Sequence, residues 1–378
     1  MSAQLNFNPR DRRFVASQQR LADAFARKPG RSPIVEPGGC VRKYNFTERY
    51  GDFDKMLADA VGWANALAAN GSDWLPFIDT FVDVVMVAEA FGCEVTCTPG
   101  SDPWCKHAVT SINDVYQIKP RPLQESPMIR RLAEWVDFAQ RKLGTDLPLW
   151  TVDVQGPFSV AAHVVEPMEL MMACVDNPPA VKHLLQMITD YSIEMMQAHI
   201  RQMEHPSFPG RNFPSIDANI GICIADDTPL VMLSPEMYRE FSLPYNSQIS
   251  RALGGSHIHS CGNYVHNLDN LLLIDGVRSI QLHAGEGEFP LPKTPQEDHP
   301  FNRARKTMTC LVDTNAVSWG DAWKGREREH YTDYILHRLC QADTTGVIFQ
   351  GPGGSDPAEV ARWTRQQVER YQHKQAQA

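Results

Sequence analysis

Short apolar runs alternate along this chain with longer stretches in which apolar residues recur at helical spacing, the pattern of parallel strands joined by helical crossovers. The runs are SPIVEP (32–37), WLPFID (74–79), LWTVD (149–153), NIGICI (219–224), SHIHS (256–260), RSIQLH (278–283), TMTCLV (307–312) and GVIFQ (346–350). Between them lie DFDKMLADAVGWANALAAN, MIRRLAEWVDFAQRKLG, AVKHLLQMITDYSIEMMQAHIRQME and PAEVARWTRQQVERYQ, the second ending on a glycine stop signal. Eight strands with intervening helices predict an α/β fold, a (β/α)8 TIM barrel. An opening helix within NPRDRRFVASQQRLADAFARK caps the barrel floor or packs outside it, so the expected division is a helical extension over 1–30 and a barrel over 31–372. CEVTCTPGSDPWCK reads as a hairpin inserted between the second and third barrel strands, and the polar HKQAQA end reads as frayed.

In such a barrel the reactive groups sit where strands end, because the following loops converge on one mouth. The fifth run closes on His257, His259 and Cys261, spaced so that all three share one face of a strand, and Gly262 then lets the backbone turn. A neutral imidazole and a thiolate suit zinc, with core-lining polar residues as the alternative. The sixth run delivers His283 to the same mouth, as a ligand or as a structural or substrate-binding histidine. Cys310, in the seventh run, is the next donor or else a buried thiol. The fourth run leads into Asp226 and Asp227, which could bind a metal, share a proton or orient a ligating histidine; solvated loop carboxylates are the alternative. Ser234-Pro235-Glu236 reads simply as a helix start. Cys93, Cys97, Cys105 and His107 fit no zinc-ribbon spacing.

Composition narrows the function classes. Apolar residues at 43% and charged residues at 21% allow a large core without disulfides, and a net charge of −9 offers no basic stripe for nucleic acid or anionic membrane. No window approaches the roughly 18 apolar residues of a membrane span. An odd total of nine cysteines, spread over the chain, is the usage of reduced cytoplasmic thiols. The expected setting is cytoplasmic, and the expected partner a small-molecule substrate.

HSCGN, together with DDTPLVMLSPEMYREFSLPY and DVQGPFSVAAHVVEP upstream, resembles the uroporphyrinogen decarboxylase superfamily, over about residues 30 to 370. The resemblance implies a (β/α)8 barrel. Its His-x-Cys-Gly-Asn element looks like the zinc-dependent branch, methylcobamide:thiol methyltransferases that load a methyl group from a corrinoid protein onto a thiol such as coenzyme M. That branch implies His259 and Cys261 as zinc ligands with a further cysteine after the last strand. The corresponding position here falls near Gly353, which leaves His283, then Cys310, to complete the set. FVDVVMVAEAFG places Asp83 where the decarboxylases hold an essential acid, with a helix N-terminal acid as the alternative. Where they carry tyrosine this chain has His163, a ligand, a proton shuttle or a satisfied polar residue. A corrinoid is then expected on a separate partner protein, and homologues of the fold often pair as dimers.

Uroporphyrinogen decarboxylation itself is disfavoured by charge. A substrate with eight carboxylates calls for arginines, yet after the first strand only Arg42 and Lys43 are close, against Asp83, Asp226, Asp227, Glu286 and Glu288 on the other loops. The leading expectation is a zinc-dependent methyltransferase or demethylase acting on a thiol. A metal-dependent lyase, decarboxylase or hydrolase on a small neutral or cationic substrate stays open, as does a barrel that only binds a ligand.

Overall fold

The structure is a computed structural model describing residues 4–37, 42–98, 101–144, 147–283, 291–313, 325–339, 344–352 and 356–376. Its strands are β1 (Ile34–Val35), β2 (Glu94–Thr96), β3 (Trp104–Lys106), β4 (Leu149–Trp150), β5 (Val154–Gln155), β6 (Pro206–Ser207), β7 (Ile222–Ala225), β8 (Ser256–His259), β9 (Val277–His283), β10 (Thr309–Asp313) and β11 (Val347–Gln350). Seven form one sheet in the order β1-β11-β10-β9-β8-β7-β5, every neighbouring pair parallel. The ring continues through β4, which pairs with β6 and with Ile78, and the Asp73 amide donates to the Ile34 carbonyl oxygen at 2.7 Å beside β1. All eight expected runs therefore meet in a TIM barrel. The second contributes only a single bridge because Pro76 interrupts it and a proline nitrogen cannot donate to a ladder. β6 was not expected; two residues beginning on proline carry no strand signal.

Alternation along the strands sorts side chains into two cores. Val35, Phe77, Trp150, Cys223, Leu311 and Ile348 point inward and form the barrel's interior cluster. Ile222, Ile224, Ile258, Ile280, Leu282, Cys310, Val312, Val347 and Phe349 point outward against the helical shell. The opening helix, Arg12–Phe25, is capped by the Asp11 side chain and inserts Leu21 and Ala24 into the interior cluster. It closes the floor, where Thr309 Oγ1 donates to the Ala24 carbonyl oxygen at 2.9 Å and the Phe25 ring meets the His257 ring edge-on at 5.3 Å.

The outer helices follow the sequence pattern closely. Phe53–Asn70, Pro127–Leu143, Pro178–Gln202 and Pro357–Ala376 cover the predicted stretches, and Ser234 caps Pro235–Phe241 by accepting the Met237 amide at 3.3 Å. The last helix continues to Ala376 instead of fraying over HKQAQA. β2 and β3 make the expected antiparallel hairpin.

One glycine fixes how the helix Pro157–Val164 meets the barrel. A Cβ on Gly156 would lie 2.0 Å from Asp226 Oδ1. Asp226 cannot retreat: its Oδ2 accepts from Tyr238 Oη and Asn246 Nδ2, each at 2.7 Å, and from Ser242 Oγ at 3.0 Å. Gly156→Ala is accordingly expected to lower unfolding stability by about 2–3 kcal/mol, the cost of overpacking a rigid site. Chemical denaturation with an unchanged m-value checks this, and a wild-type midpoint would refute it.

Candidate metal centre at the barrel mouth

The ladder between β7 and β8 sets the site. Ala225 pairs with His259, so the residues that follow each strand, Asp227 and Cys261, leave the barrel side by side. The Asp227 Oδ1 accepts the Cys261 amide at 2.5 Å, and the Cys261 Sγ lies 3.2 Å from His259 Nε2. One donor atom from each of Asp227, His259 and Cys261 lies within 4.8 Å of the other two, and this is the metal-sized group of donors among the described residues. Ligands of one zinc ion stand about 3–4 Å apart, given bond lengths near 2.0–2.3 Å in a tetrahedron, and the 3.2 Å between Cys261 Sγ and His259 Nε2 matches that spacing.

β9 completes the arrangement from the next position in the ladder. Gln281 Oε1 lies 2.6 Å from His259 Nδ1, and an amide oxygen can only accept, so Nδ1 carries the proton and Nε2 presents its lone pair to the cluster. His259 is buried, whereas Cys261 is exposed and open to a substrate. Two carboxylate and thiolate charges beside a neutral imidazole would balance a divalent cation.

The other expected residues divide. His257 shares the inward face with His259 but lies one layer deeper. Its Nδ1 is 2.5 Å from Ser279 Oγ, its Nε2 is 2.8 Å from the Ile220 carbonyl oxygen, and burial pulls its pKa down to about 3. With both nitrogens engaged it is a neutral floor residue. Cys310 is corrected as a candidate ligand: it falls on the opposite strand parity, packs into the outer cluster, and burial pushes its thiol up to about 12. Asp226 is likewise no partner of Asp227 at the mouth, because consecutive residues diverge and Asp226 is turned into the helical shell, where burial raises its pKa to about 6 against the pull of Tyr238, Ser242 and Asn246. His163 is not among the cluster's donors. Its ring lies near enough to lower the Cys105 pKa, and its carbonyl oxygen takes contacts from Cys93 Sγ at 3.4 Å and His107 Nδ1 at 2.9 Å. The His283 side chain, Gly353, Glu286 and Glu288 lie outside the described residues.

Asp83 sits just before the helix Met86–Ala90 and is 4% exposed, with Oδ1 accepting the Val85 amide at 3.2 Å. Burial raises its pKa to about 6; the Val85 amide opposes the shift and Asp102 adds to it.

Several residues here went unread in the sequence. Asp153 faces the barrel interior, with Oδ2 accepting from Asn212 Nδ2 at 3.1 Å and Oδ1 buried without a partner. Burial raises its pKa, opposed by Arg211 and His259. The Arg211 guanidinium lies 3.4 Å over the Phe81 ring centroid, and Arg42 and Arg49 stand 3.9 Å from Asp79 and Asp59 respectively. Arg211 and Arg49 thus join Arg42 and Lys43 as basic groups, with the carboxylates of Asp153, Asp59 and Asp79 close by. Inward parity from Val152 and Val154 could have flagged Asp153, and the step from His283 back to Gln281 could have flagged the latter. Arg211 and Arg49 come from loops and helices whose approach no local pattern encodes.

Residues 76–203 match the family model described as uroporphyrinogen decarboxylase (URO-D). Curated relatives include a uroporphyrinogen decarboxylase of Flavobacterium johnsoniae, 27% identical over 46% of this chain and 47% of its own length, and one of Christiangramia forsetii, 25% identical over the same shares. The matched region spans about half the length of these relatives. A solved methyltransferase from Methanosarcina mazei superposes with a TM-score of 0.61 and 17% identity, over 95% of this chain and 98% of that one. The resemblance to the uroporphyrinogen decarboxylase superfamily and its barrel fold holds. No described helix is long and apolar enough to cross a membrane.

The raised pKa of Asp83 has a consequence for stability. Unfolded, the carboxyl titrates near pH 4; folded, it titrates at about 6. Between those values the folded chain binds the extra proton, so this group's contribution to stability falls as pH rises across that window. Asp83→Asn is expected to reduce that fall, seen as a smaller difference between urea midpoints measured at about pH 4.5 and 6.5. An unchanged difference would show that Asp83 titrates normally.

Proposed function

Starting from a barrel of the uroporphyrinogen decarboxylase type, we propose that this protein is a zinc-dependent methyltransferase acting on a thiol, with a corrinoid carried by a partner protein as methyl donor. The observation that supports this most is the convergence of Asp227, His259 and Cys261 at the mouth. Asp227 takes the third place that His283 was expected to fill. When bound, zinc supplies Lewis acidity that lowers a substrate thiol's pKa and keeps it a thiolate.

The protein's own groups do the rest. Gln281 holds His259 in the tautomer that offers Nε2, and the Asp227 contact to the Cys261 amide fixes the turn after β8. Asp227, His259 and Cys261 would hold the ion and leave room for the substrate thiol as a further ligand. Arg211, braced on Phe81, and the buried carboxylate of Asp153 orient the substrate's polar end, while closure of the floor by Arg12–Phe25 restricts approach to the mouth.

A second reading has an observation of its own. Asp83, with a pKa near 6, can give or take a proton at Oδ around neutral pH, the requirement for a metal-dependent lyase or decarboxylase.

Purified protein is expected to hold close to one zinc per chain by elemental analysis, lost in Cys261→Ala and lowered at least tenfold in affinity, by order of magnitude, in Asp227→Ala, with both variants folded by circular dichroism. Metal-free protein with a freely titrating Cys261 would remove the centre. Methylcobalamin and a panel of thiols should then yield a methyl thioether. Metal without methylation of any thiol would hand the function to the lyase reading.

A further inference from the structure

The β2–β3 hairpin carries a second cluster of reactive groups that the metal centre does not use. Val95 pairs with Cys105, and Cys93 precedes Val95 by two residues, so Cys93 and Cys105 are diagonal neighbours on one face. Both are free thiols, close enough for each to shift the other's titration. Cys105 is buried between the exposed Trp104 and Lys106, yet remains 7% exposed. The face is closed by the helix Pro157–Val164, whose His163 ring lies near enough to lower the Cys105 pKa and whose His163 carbonyl oxygen is contacted by Cys93 Sγ and His107 Nδ1.

The two sulfurs are electrostatically unlike. Cys105 is drawn down by the neighbouring Cys93 thiol, and further by His163 and His107, with burial opposing. Cys93 is pushed well up by the neighbouring Cys105, by burial and by the Glu89 carboxylate. No ion explains the cluster, because among the described residues these groups do not bring three donors within a single ion's reach. A thiolate beside a protonated partner thiol, with an imidazole to handle the proton, is the arrangement of a dithiol that oxidises in two steps.

We propose that Cys93 and Cys105 form a peroxide-reactive dithiol, in which Cys105 is the attacking sulfur, Cys93 resolves the product as an intramolecular disulfide, and His163 positions and relays the proton. In the first step the Cys105 thiolate attacks a peroxide oxygen, the O–O bond breaks, Cys105 becomes a sulfenic acid, and the departing hydroxide takes a proton from solvent by way of His163 and leaves as water. In the second, Cys93 gives its proton to the sulfenic oxygen by way of His163, the S–S bond forms and a second water leaves. Both thiols are oxidised by one peroxide, and a small dithiol reductant reverses the change. Hydrogen peroxide is small enough for a sulfur this enclosed. The helix that carries His163 begins at Gly156 against Asp226, next to Asp227, so the pair lies one short helix from the metal centre.

Full-length protein treated with hydrogen peroxide should yield a peptide cross-linked between Cys93 and Cys105, two hydrogens lighter than the reduced pair and restored by dithiothreitol, with Cys97→Ser giving the same link. Cys93→Ala should stop at a Cys105 sulfenic acid that dimedone traps. Alkylation of Cys105 by iodoacetamide should show its pH break below neutrality, and His163→Asn should move that break upward and slow alkylation at pH 7 about tenfold. Peroxide that oxidises Cys97 or Cys261 while Cys93 and Cys105 stay thiols, or a wild-type Cys105 break near the ordinary 8.5, would overturn the proposal.

Discussion

The parallel register of three adjacent strands is the constraint on which the mouth depends. Ala225 stands opposite His259, and Ile258 opposite Ile280, so Asp227, Cys261 and Gln281 are brought to His259 by backbone pairing before any side chain chooses a rotamer. A one-residue slip of β8 would exchange His259 with Ile258 and turn its imidazole into the helical shell, away from Asp227 and Gln281. The site is therefore as rigid as the ladder that carries it, and its weakest member is the one past the strand end, Cys261, which is held by the Asp227 contact to its amide.

Strand parity also explains how alike residues come to differ. His257 and His259 are both inward-facing, but one is saturated by Ser279 and the Ile220 carbonyl oxygen, and the other bonds Gln281 through Nδ1 and turns Nε2 to the Cys261 sulfur at the mouth. Asp226 and Asp227 are adjacent in sequence and opposite in fate. The first is a buried anchor for three helical hydroxyl and amide groups, the second a donor at the mouth. The same rule removes Cys310, whose neighbour Leu311 takes the inward place.

Much of this was legible in the amino-acid order. Eight apolar runs, the hairpin and the long helices follow from periodicity, and His259 with Cys261 follows from their spacing at a strand end. What was not legible depended on depth and on distant segments. Spacing cannot say that His257 lies a layer below the mouth, nor that His163 would turn toward Cys105 on a hairpin some sixty residues upstream. Arg211 reaches Phe81 from beyond β6, a strand that the sequence pattern does not announce. The second barrel run was recognisable by composition, but Pro76 left it with one bridge where a ladder was expected.

Leu21, Ala24 and Phe25 together make the lower end of the barrel a stopper: apolar wedges and an aromatic edge fill the space beneath His257. Among the described residues the chamber is consequently closed at this end and open toward the mouth. On the proposed function, anything that reacts inside would leave by the mouth, so a donor protein and a departing product would compete for the same doorway and turnover would proceed in alternating visits.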